Sequence, residues 1–438
     1  MTKLGLILAV VLSFGFGLLF TPLVRGMAAR LRICEKPNGR TSRDIVHIGG
    51  VGIIGAILFT LLPLFLFFLP DGPVVRAFTP VLIASGFLVF LLGIIDDLRS
   101  LHYLYKLILQ VAVSIFVAAV GLGLLMHFGA LRVAVYLILP LFLAIAVWML
   151  VVTTSFNLID GLDGLASGIA FITAASFAVA GQTMNQPLVV AVSLVVCGAT
   201  LSFLRYNFPP ASIFMGDSGS LFLGLLFGLV SLLLVASGED VFYRIAGNVM
   251  ILAVPLLDTA LAFVRRLVTR RPVFEADHRH LHHMLLYRYR SMRKVDLVLW
   301  GASAVFGVLG VLTMRGNVIA LVAASALALL VFIVTLRSMV RFKLPNISSS
   351  GAEETRYRCS IERACAPRSR RRIRTWSSST RATVREGTIA RSRRLVDPIR
   401  PRSASSLPAS AGRRPESSKR GGRRPFSSAS GKGRSTLP

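Results

Sequence analysis

VAVYLILPLFLAIAVWMLVVTTSFNLIDGLDG, residues 133–164, joins an uncharged apolar run to a loop carrying Asp160 and Asp163 between glycines. About 20 apolar residues cross the hydrocarbon core of a bilayer as a helix. Val133–Thr153 has that length, so this stretch reads as a membrane span with an acidic loop at its end. The same design recurs along the chain. The spans read from hydropathy are Leu4–Val24, Gly49–Leu69, Phe78–Ile95, Leu107–Met126, Val133–Thr153 and Leu165–Ala180. They continue with Leu188–Leu204, Leu221–Val235, Ile245–Val264, Leu297–Leu312 and Val318–Leu336. Backbone polar groups in lipid are satisfied only in helices or closed barrels, and these runs lack the alternation of barrel strands. The expected fold is therefore an all-α integral membrane protein of about eleven transmembrane helices. The first span has no small-residue cleavage site and is followed by basic residues, so it reads as a retained helix.

Composition agrees. Hydrophobic residues make up 54% of the 438 and charged residues 16%, where a soluble domain carries about 25% charged. The formal charge of +29 is unevenly placed. Arg25, Arg30, Arg32, Lys36, Arg40 and Arg43 follow the first span, and Arg265, Arg266, Arg270, Arg271, Arg279, Arg288, Arg290, Arg293 and Lys294 follow the ninth. Even-numbered gaps are poor in base, with Arg76, Arg244 and Arg315. The positive-inside rule puts odd-numbered gaps in the cytoplasm, the N-terminus outside and the C-terminus inside. That topology, set by Lys and Arg alone, also collects Asp96-Asp97, the Asn157–Gly164 loop, Gly216-Asp217-Ser218-Gly219, Asp258 and His280-Leu-His282-His283 on the cytoplasmic face. The expected active site is thus built of cytoplasmic loops.

Carboxylates at the edge of a bilayer are costly unless they have a function. The Asp96-Asp97 pair suits a hard divalent cation, or one member acting as a base; alone, it also reads as a solvated helix cap. Asp160 and Asp163 lie one helical turn apart, with glycines that permit close backbone approach; the loop lacks the spacing and final Glu of an EF-hand. Gly216-Asp217-Ser218-Gly219-Ser220 sets an acid among small residues at a helix start, where N–H groups receive phosphate and Asp217 holds a metal. His280, His282 and His283 are too tightly spaced for a standard zinc site and fit phosphate or nucleotide contact better. An anionic substrate, a divalent metal and surrounding cations make the usual arrangement for phosphoryl transfer. A transporter or channel with acidic residues on its cytoplasmic face is the alternative, although transport sites favour ionisable groups near mid-membrane.

Residues 1–344 form the expected membrane domain, and 345–438 a basic Ser/Arg/Pro-rich tail. Gly351–Pro438 holds 23 Lys and Arg against 6 Asp and Glu, a net of +17, with the composition of disorder. Anionic headgroups or nonspecific nucleic acid would suit it, and translation of a shifted frame yields the same composition, so no function is drawn from it. No specific nucleic-acid partner is expected. Cys34, Cys197, Cys359 and Cys365 have neither metal spacing nor a disulfide framework.

Asp96-Asp97, Asn157-xx-Asp160-Gly-x-Asp163-Gly164, Phe214-Met215-Gly216-Asp217-Ser218-Gly219-Ser220 and His280-x-His282-His283 resemble the motifs of the polyprenyl-phosphate N-acetylhexosamine-1-phosphate transferases (glycosyltransferase family 4). Pro37-Asn38-x-Arg40 and His47-Ile48-Gly49-Gly50 are similar to that family's first cytoplasmic loop. The resemblance runs in family order from about Lys36 to Leu286. It implies an Mg2+- or Mn2+-dependent enzyme that moves a HexNAc-1-phosphate from a UDP-N-acetylhexosamine to undecaprenyl phosphate and releases UMP. Such a step initiates cell-envelope polysaccharide or lipopolysaccharide synthesis at the bacterial cytoplasmic (inner) membrane. By the resemblance, Asp217 with Asn157 holds the metal, and Asp96, Asp97, Asp160 and Asp163 are the catalytic acids. Asn157, Arg265, His280, His282 and His283 bind the donor. The His-x-His-His pattern is closer to the branch using simple UDP-N-acetylhexosamines than to the UDP-MurNAc-pentapeptide branch. Direct attack of the lipid phosphate on the donor's β-phosphorus is the favoured scheme, with an aspartyl intermediate on Asp96 or Asp97 as its rival. Two departures occur: His47-Ile48 stands where the family has Pro-Arg, and Ala276 stands where it has Pro. Membrane lipid is the expected setting, and a homodimer is left open.

Overall fold

The computed structural model describes residues 3–35, 45–67, 72–99, 101–127, 134–236, 240–268 and 280–341. The Pro37-Asn38-x-Arg40 motif, Asp71, Glu239, Arg270, Arg271, Ala276, Asp277, Arg279 and the 345–438 tail, with Cys359 and Cys365, lie outside the described residues. The helices run in order α1 (Lys3–Arg30), α2 (Gly50–Phe67), α3 (Pro73–Arg99), α4 (Tyr103–His127), α5 (Val135–Ile159), α6 (Leu165–Thr183) and α7 (Pro187–Asn207). Then come α8 (Gly216–Ala236), α9 (Val241–Ile251), α10 (Ala253–Val268), α11 (Leu281–Tyr289), α12 (Met292–Met314) and α13 (Val318–Arg341). A short antiparallel pairing joins β1 (Cys34–Glu35) to β2 (Ile45–Val46), Cys34 opposite Val46, and Val46 also bridges to Ile213.

Nine of the described helices are long and apolar enough to cross a membrane, ten if α9 and α10 count as one broken span. Two of the eleven expected spans take another form. The second span appears as α2, apolar but shorter than the others. The ninth, read as one helix over Ile245–Val264, bends by 77° between α9 and α10. Pro255 explains the break: it has no N–H to bond the Ile251 carbonyl, and its ring crowds that same carbonyl. Proline is tolerated in the first turn of the new helix, where that N–H would be unpaired anyway. Beyond the bend, Val254, Asp258, Leu261 and Arg265 fall on one buried stripe of α10. The polar residues of this span therefore face protein.

Burial separates centre from rim. The apolar windows of α8 and α7 are 83% and 78% buried, against 11% for α5 and α13. Around α8 pack α3, α5 and α2; α7 holds α6 and α1, and α12 closes on α6 and α9. Rim residues such as Phe87, Tyr136, Leu139, Ile319 and Leu330 are exposed. In water that surface would be untenable at about 25 cal/mol per Å2, but lipid solvates it. Since lipid is as apolar as Leu, helix association rests on packing and interhelical polar ties. Ser231 supplies two: its hydroxyl accepts from Trp148 Nε1 of α5 at 2.7 Å, and its carbonyl from Asn248 Nδ2 of α9 at 2.9 Å. Each such tie is worth about 0.6 kcal/mol. The molecule is a multi-pass helical membrane protein.

Candidate active site

Asp96 and Asp97 end α3, Lys106 begins α4, Asn157 ends α5 and Asp217 begins α8. Helix ends expose unpaired N–H and C=O groups, and the cluster forms where these ends meet. Asp97 is engaged by the start of α8. Its Oδ1 accepts from the Asp217 N–H at 2.7 Å; its Oδ2 accepts from the Ser218 N–H at 3.1 Å and the Ser218 hydroxyl at 2.7 Å. A carboxylate at a helix N-terminus satisfies orphan donors and meets the positive end of the macrodipole. Backbone geometry permits the approach. Gly216 has φ +75°, and a Cβ there would lie 2.8 Å from both Asp97 carboxylate oxygens. Gly93, one turn before Asp97, lies against the Ser218 backbone, which a side chain would strike. The β2–α2 loop braces the other side: Gly49 N donates to Phe214 O at 2.9 Å and Gly50 N to Met215 O at 2.7 Å. His47 Nε2 reaches the Asp97 carbonyl at 2.5 Å.

Asp217 and Asp96 meet at a lysine. Lys106 Nζ pairs with Asp217 Oδ2 and, at 2.8 Å, with Asp96 Oδ2. Asp96 Oδ1 accepts from the Leu101 N–H at 2.6 Å. Asn157 Nδ2 donates to Asp217 Oδ1 at 2.6 Å and to the Ser220 hydroxyl at 3.0 Å. Two carboxylates thus share one ammonium, with Asp97 held beside them by the start of α8. Asp217 is the most open of the bridged pair, its side chain 29% exposed against 8% for Asp96. Lys106 was missed in the sequence, where a single lysine just before an apolar run reads as a snorkelling interfacial residue.

The second cluster is built on α10 and α11. Asp258, 1% exposed, accepts at Oδ1 from the Leu281 N–H at 2.7 Å, at the first residue of α11. Its Oδ2 lies 3.3 Å from His280 Nδ1 and 3.5 Å from His282 Nδ1. The His280 and His282 rings stack at 5.5 Å, and His283 tilts against His282 at 4.4 Å. Arg265 lies buried two turns beyond Asp258 on the same stripe. The α5–α6 loop touches both clusters: Asn157 reaches Asp217, while Gly161 lies so close to His282 Nε2 that a side chain would collide with it. Asp160 sits between, at the C-terminal end of α5. Asp163 is directed elsewhere; its Oδ2 accepts from the Ala211 N–H at 2.9 Å, tying this loop to the α7–α8 connection.

Among the described residues, no group of three or more His, Cys, Asp and Glu side chains has metal-holding geometry. The donor chemistry nevertheless fits a hard divalent cation. Asp96, Asp217 and the Asn157 amide are oxygen ligands, and Mg2+ takes one or two carboxylates and completes its shell with water and phosphate. The Lys106 ammonium already marks a point between Asp96 and Asp217 where positive charge is stabilised.

Fold and site together define a polytopic membrane protein whose helix ends gather acids, a lysine and histidines. The model of glycosyl transferase family 4 matches residues 79–235, from α3 through α8. A Bacillus subtilis protein described as a probable undecaprenyl-phosphate N-acetylglucosaminyl 1-phosphate transferase is 32% identical over 311 residues, covering 69% of this chain and 83% of the relative. The decaprenyl-phosphate N-acetylglucosaminephosphotransferase of Mycobacterium tuberculosis is 32% identical over 345 residues, covering 69% and 80%. A phospho-N-acetylmuramoyl-pentapeptide-transferase of Desulforudis audaxviator is 31% identical over 333 residues, covering 69% and 96%. The chain belongs to the polyprenyl-phosphate N-acetylhexosamine-1-phosphate transferases of glycosyl transferase family 4 and is a phosphosugar transferase. The resemblance read from its motifs is borne out.

Proposed function

We propose that this protein transfers a HexNAc-1-phosphate from a UDP-N-acetylhexosamine to undecaprenyl phosphate, yielding the polyprenyl-diphosphate-sugar and UMP. The observation that carries the reading is the meeting of Asp96 and Asp217 at Lys106, with Asn157 bonded to Asp217 and His282 packed against Gly161 of the same α5–α6 loop. A lipid phosphate oxygen attacks the donor's β-phosphorus, the β-phosphorus–bridging-oxygen bond breaks, and UMP leaves with that oxygen. Asp217, the more open acid of the bridged pair, and Asn157 would hold Mg2+ or Mn2+. A metal held there would supply charge neutralisation for the diphosphate and for UMP as it leaves.

The chain's own groups divide the remaining work. Lys106, held by Asp96 and Asp217, offers its ammonium to a phosphate oxygen. Asp97 acts by position. Its two oxygens already accept three hydrogen bonds, and an aspartyl intermediate on it would forfeit the cap that orients Asp217. Direct attack is therefore favoured over a covalent route through Asp97. Asp160, Arg265, His280, His282 and His283 line the donor side, and Asp163 shapes the α5–α6 loop that bears Asp160. His-x-His-His supports the simple UDP-HexNAc branch, although relatives of both branches match this chain at similar identity. We place the site on the cytoplasmic face of a bacterial inner membrane, initiating a cell-envelope polysaccharide. The transporter reading has no counterpart among the transferases named above.

Purified protein in detergent, given undecaprenyl phosphate, Mg2+ and each of several radiolabelled UDP-HexNAc donors, tests this. Lipid-extractable label from at least one donor, abolished by EDTA, is the expected result. Folded protein that labels no lipid with any donor would refute it.

A further inference from the structure

We propose that Asp258 is the positioning residue of the histidine cluster, keeping a proton on Nδ1 of both His280 and His282 so that their Nε2 edges meet the sugar-diphosphate donor. The inference rests on the donor reading above and adds a role that the catalytic acids do not fill.

One buried carboxylate serves three groups. Oδ1 is taken by the first N–H of α11, so α11 starts where Asp258 holds it. Oδ2 stands between two imidazole Nδ1 atoms at 3.3 and 3.5 Å. An ionised carboxylate only accepts hydrogen bonds, and a neutral imidazole has one protonated and one bare nitrogen. A bare Nδ1 would set lone pair against lone pair in a site where Asp258 is 1%, His280 6% and His282 1% exposed. Protons on Nδ1 remove that conflict. The distances are longer than a tight hydrogen bond, as catalytic contacts often are before substrate draws them in.

The consequence is orientation. Nε2 lies on the far side of each ring from the carboxylate, and for His282 that side faces Gly161 of the loop carrying Asn157 and Asp160. Carboxylates that fix the tautomer and direction of a working histidine recur in metal and hydrolase sites. Here the bend before Pro255 turns the Asp258 face of α10 toward α11, which explains an acid within an apolar stretch.

The test uses full-length protein in lipid nanodiscs with nitrogen-15-labelled histidine. Resonances are assigned with His280→Gln and His282→Gln, and spectra are taken in mildly alkaline buffer. Nδ1 is expected to carry a proton in both rings. In Asp258→Asn, whose amide can offer N–H instead of accepting, that signature is lost from at least one ring. Its kcat/KM for the UDP-sugar falls about 10–100-fold, while KM for undecaprenyl phosphate stays within about twofold of wild type. A bare Nδ1 on either ring of the wild type would overturn the proposal whether or not Asp258→Asn folds. So would an Asp258→Asn enzyme with unchanged tautomers and unchanged donor kcat/KM, or one that loses both substrates equally with tautomers intact. If the wild type turns over no UDP-sugar, the donor reading fails, and the tautomer spectrum still decides the role of Asp258.

Discussion

Asp217 and Asp97 are neighbours in space with opposite duties, and substitution should separate them. Asp217→Ala leaves Lys106 paired with Asp96 and removes the open carboxylate; turnover should fall at least about 1,000-fold, with little change in thermal midpoint. Asp97→Ala removes an acceptor of three hydrogen bonds and should cost about 3 kcal/mol of stability as well as activity. The two are compared by thermal unfolding in detergent beside the lipid-labelling assay, and equal stability losses would contradict the division. Asp296 of α12 offers a different prediction. It is 0% exposed, neither oxygen has a hydrogen-bond partner among the described residues, and the Asp163 charge repels it. An unpaired buried polar group costs about 1–3 kcal/mol, so Asp296→Leu should raise the midpoint; a fall would reveal an unseen partner. The acids of the site were legible as residue types in the sequence. Their duties were not, because they depend on hydrogen bonds to groups far away in the chain, as Asp217 to Asn157 and Asp97 to Ser218.

Elements were legible by length, and less so by continuity. Every expected span has a helix over it, since apolar length alone dictates a helix in lipid. Continuity failed where local chemistry overrode hydropathy. Pro255 sits in a run as apolar as its neighbours, and the resulting bend is visible only when the lost bond to Ile251 is weighed. Likewise α11 is too short and polar to register as a span, yet it presents His282 and His283. Close helix contact depends on glycines that a hydropathy reading passes over. Gly93 lets α3 lie against the first residues of α8, and any Cβ there meets backbone rather than a movable side chain. Gly93→Val should therefore cost at least about 3 kcal/mol and greatly reduce the yield of folded protein. Recovery at wild-type yield and midpoint would mean that α3 and α8 are less closely packed.

At the scale of the whole molecule, acids and bases lie where helices end and apolar side chains face outward. The positive-inside count placed the polar motifs on one side, and the ends of α3 and α5 do meet the starts of α2, α4 and α8. That grouping was legible because every motif followed an odd-numbered span, and a bent α9–α10 pair that crosses once preserves the parity. The central claim concerns which bond breaks. In one preparation the UDP-HexNAc carries labelled phosphorus at the β position, in a second at the α position, each with undecaprenyl phosphate and Mg2+. Transfer of sugar-1-phosphate predicts β label in the lipid and α label in UMP. β label retained in UDP, with sugar on the lipid, would mean that only the sugar moves, and would contradict the account.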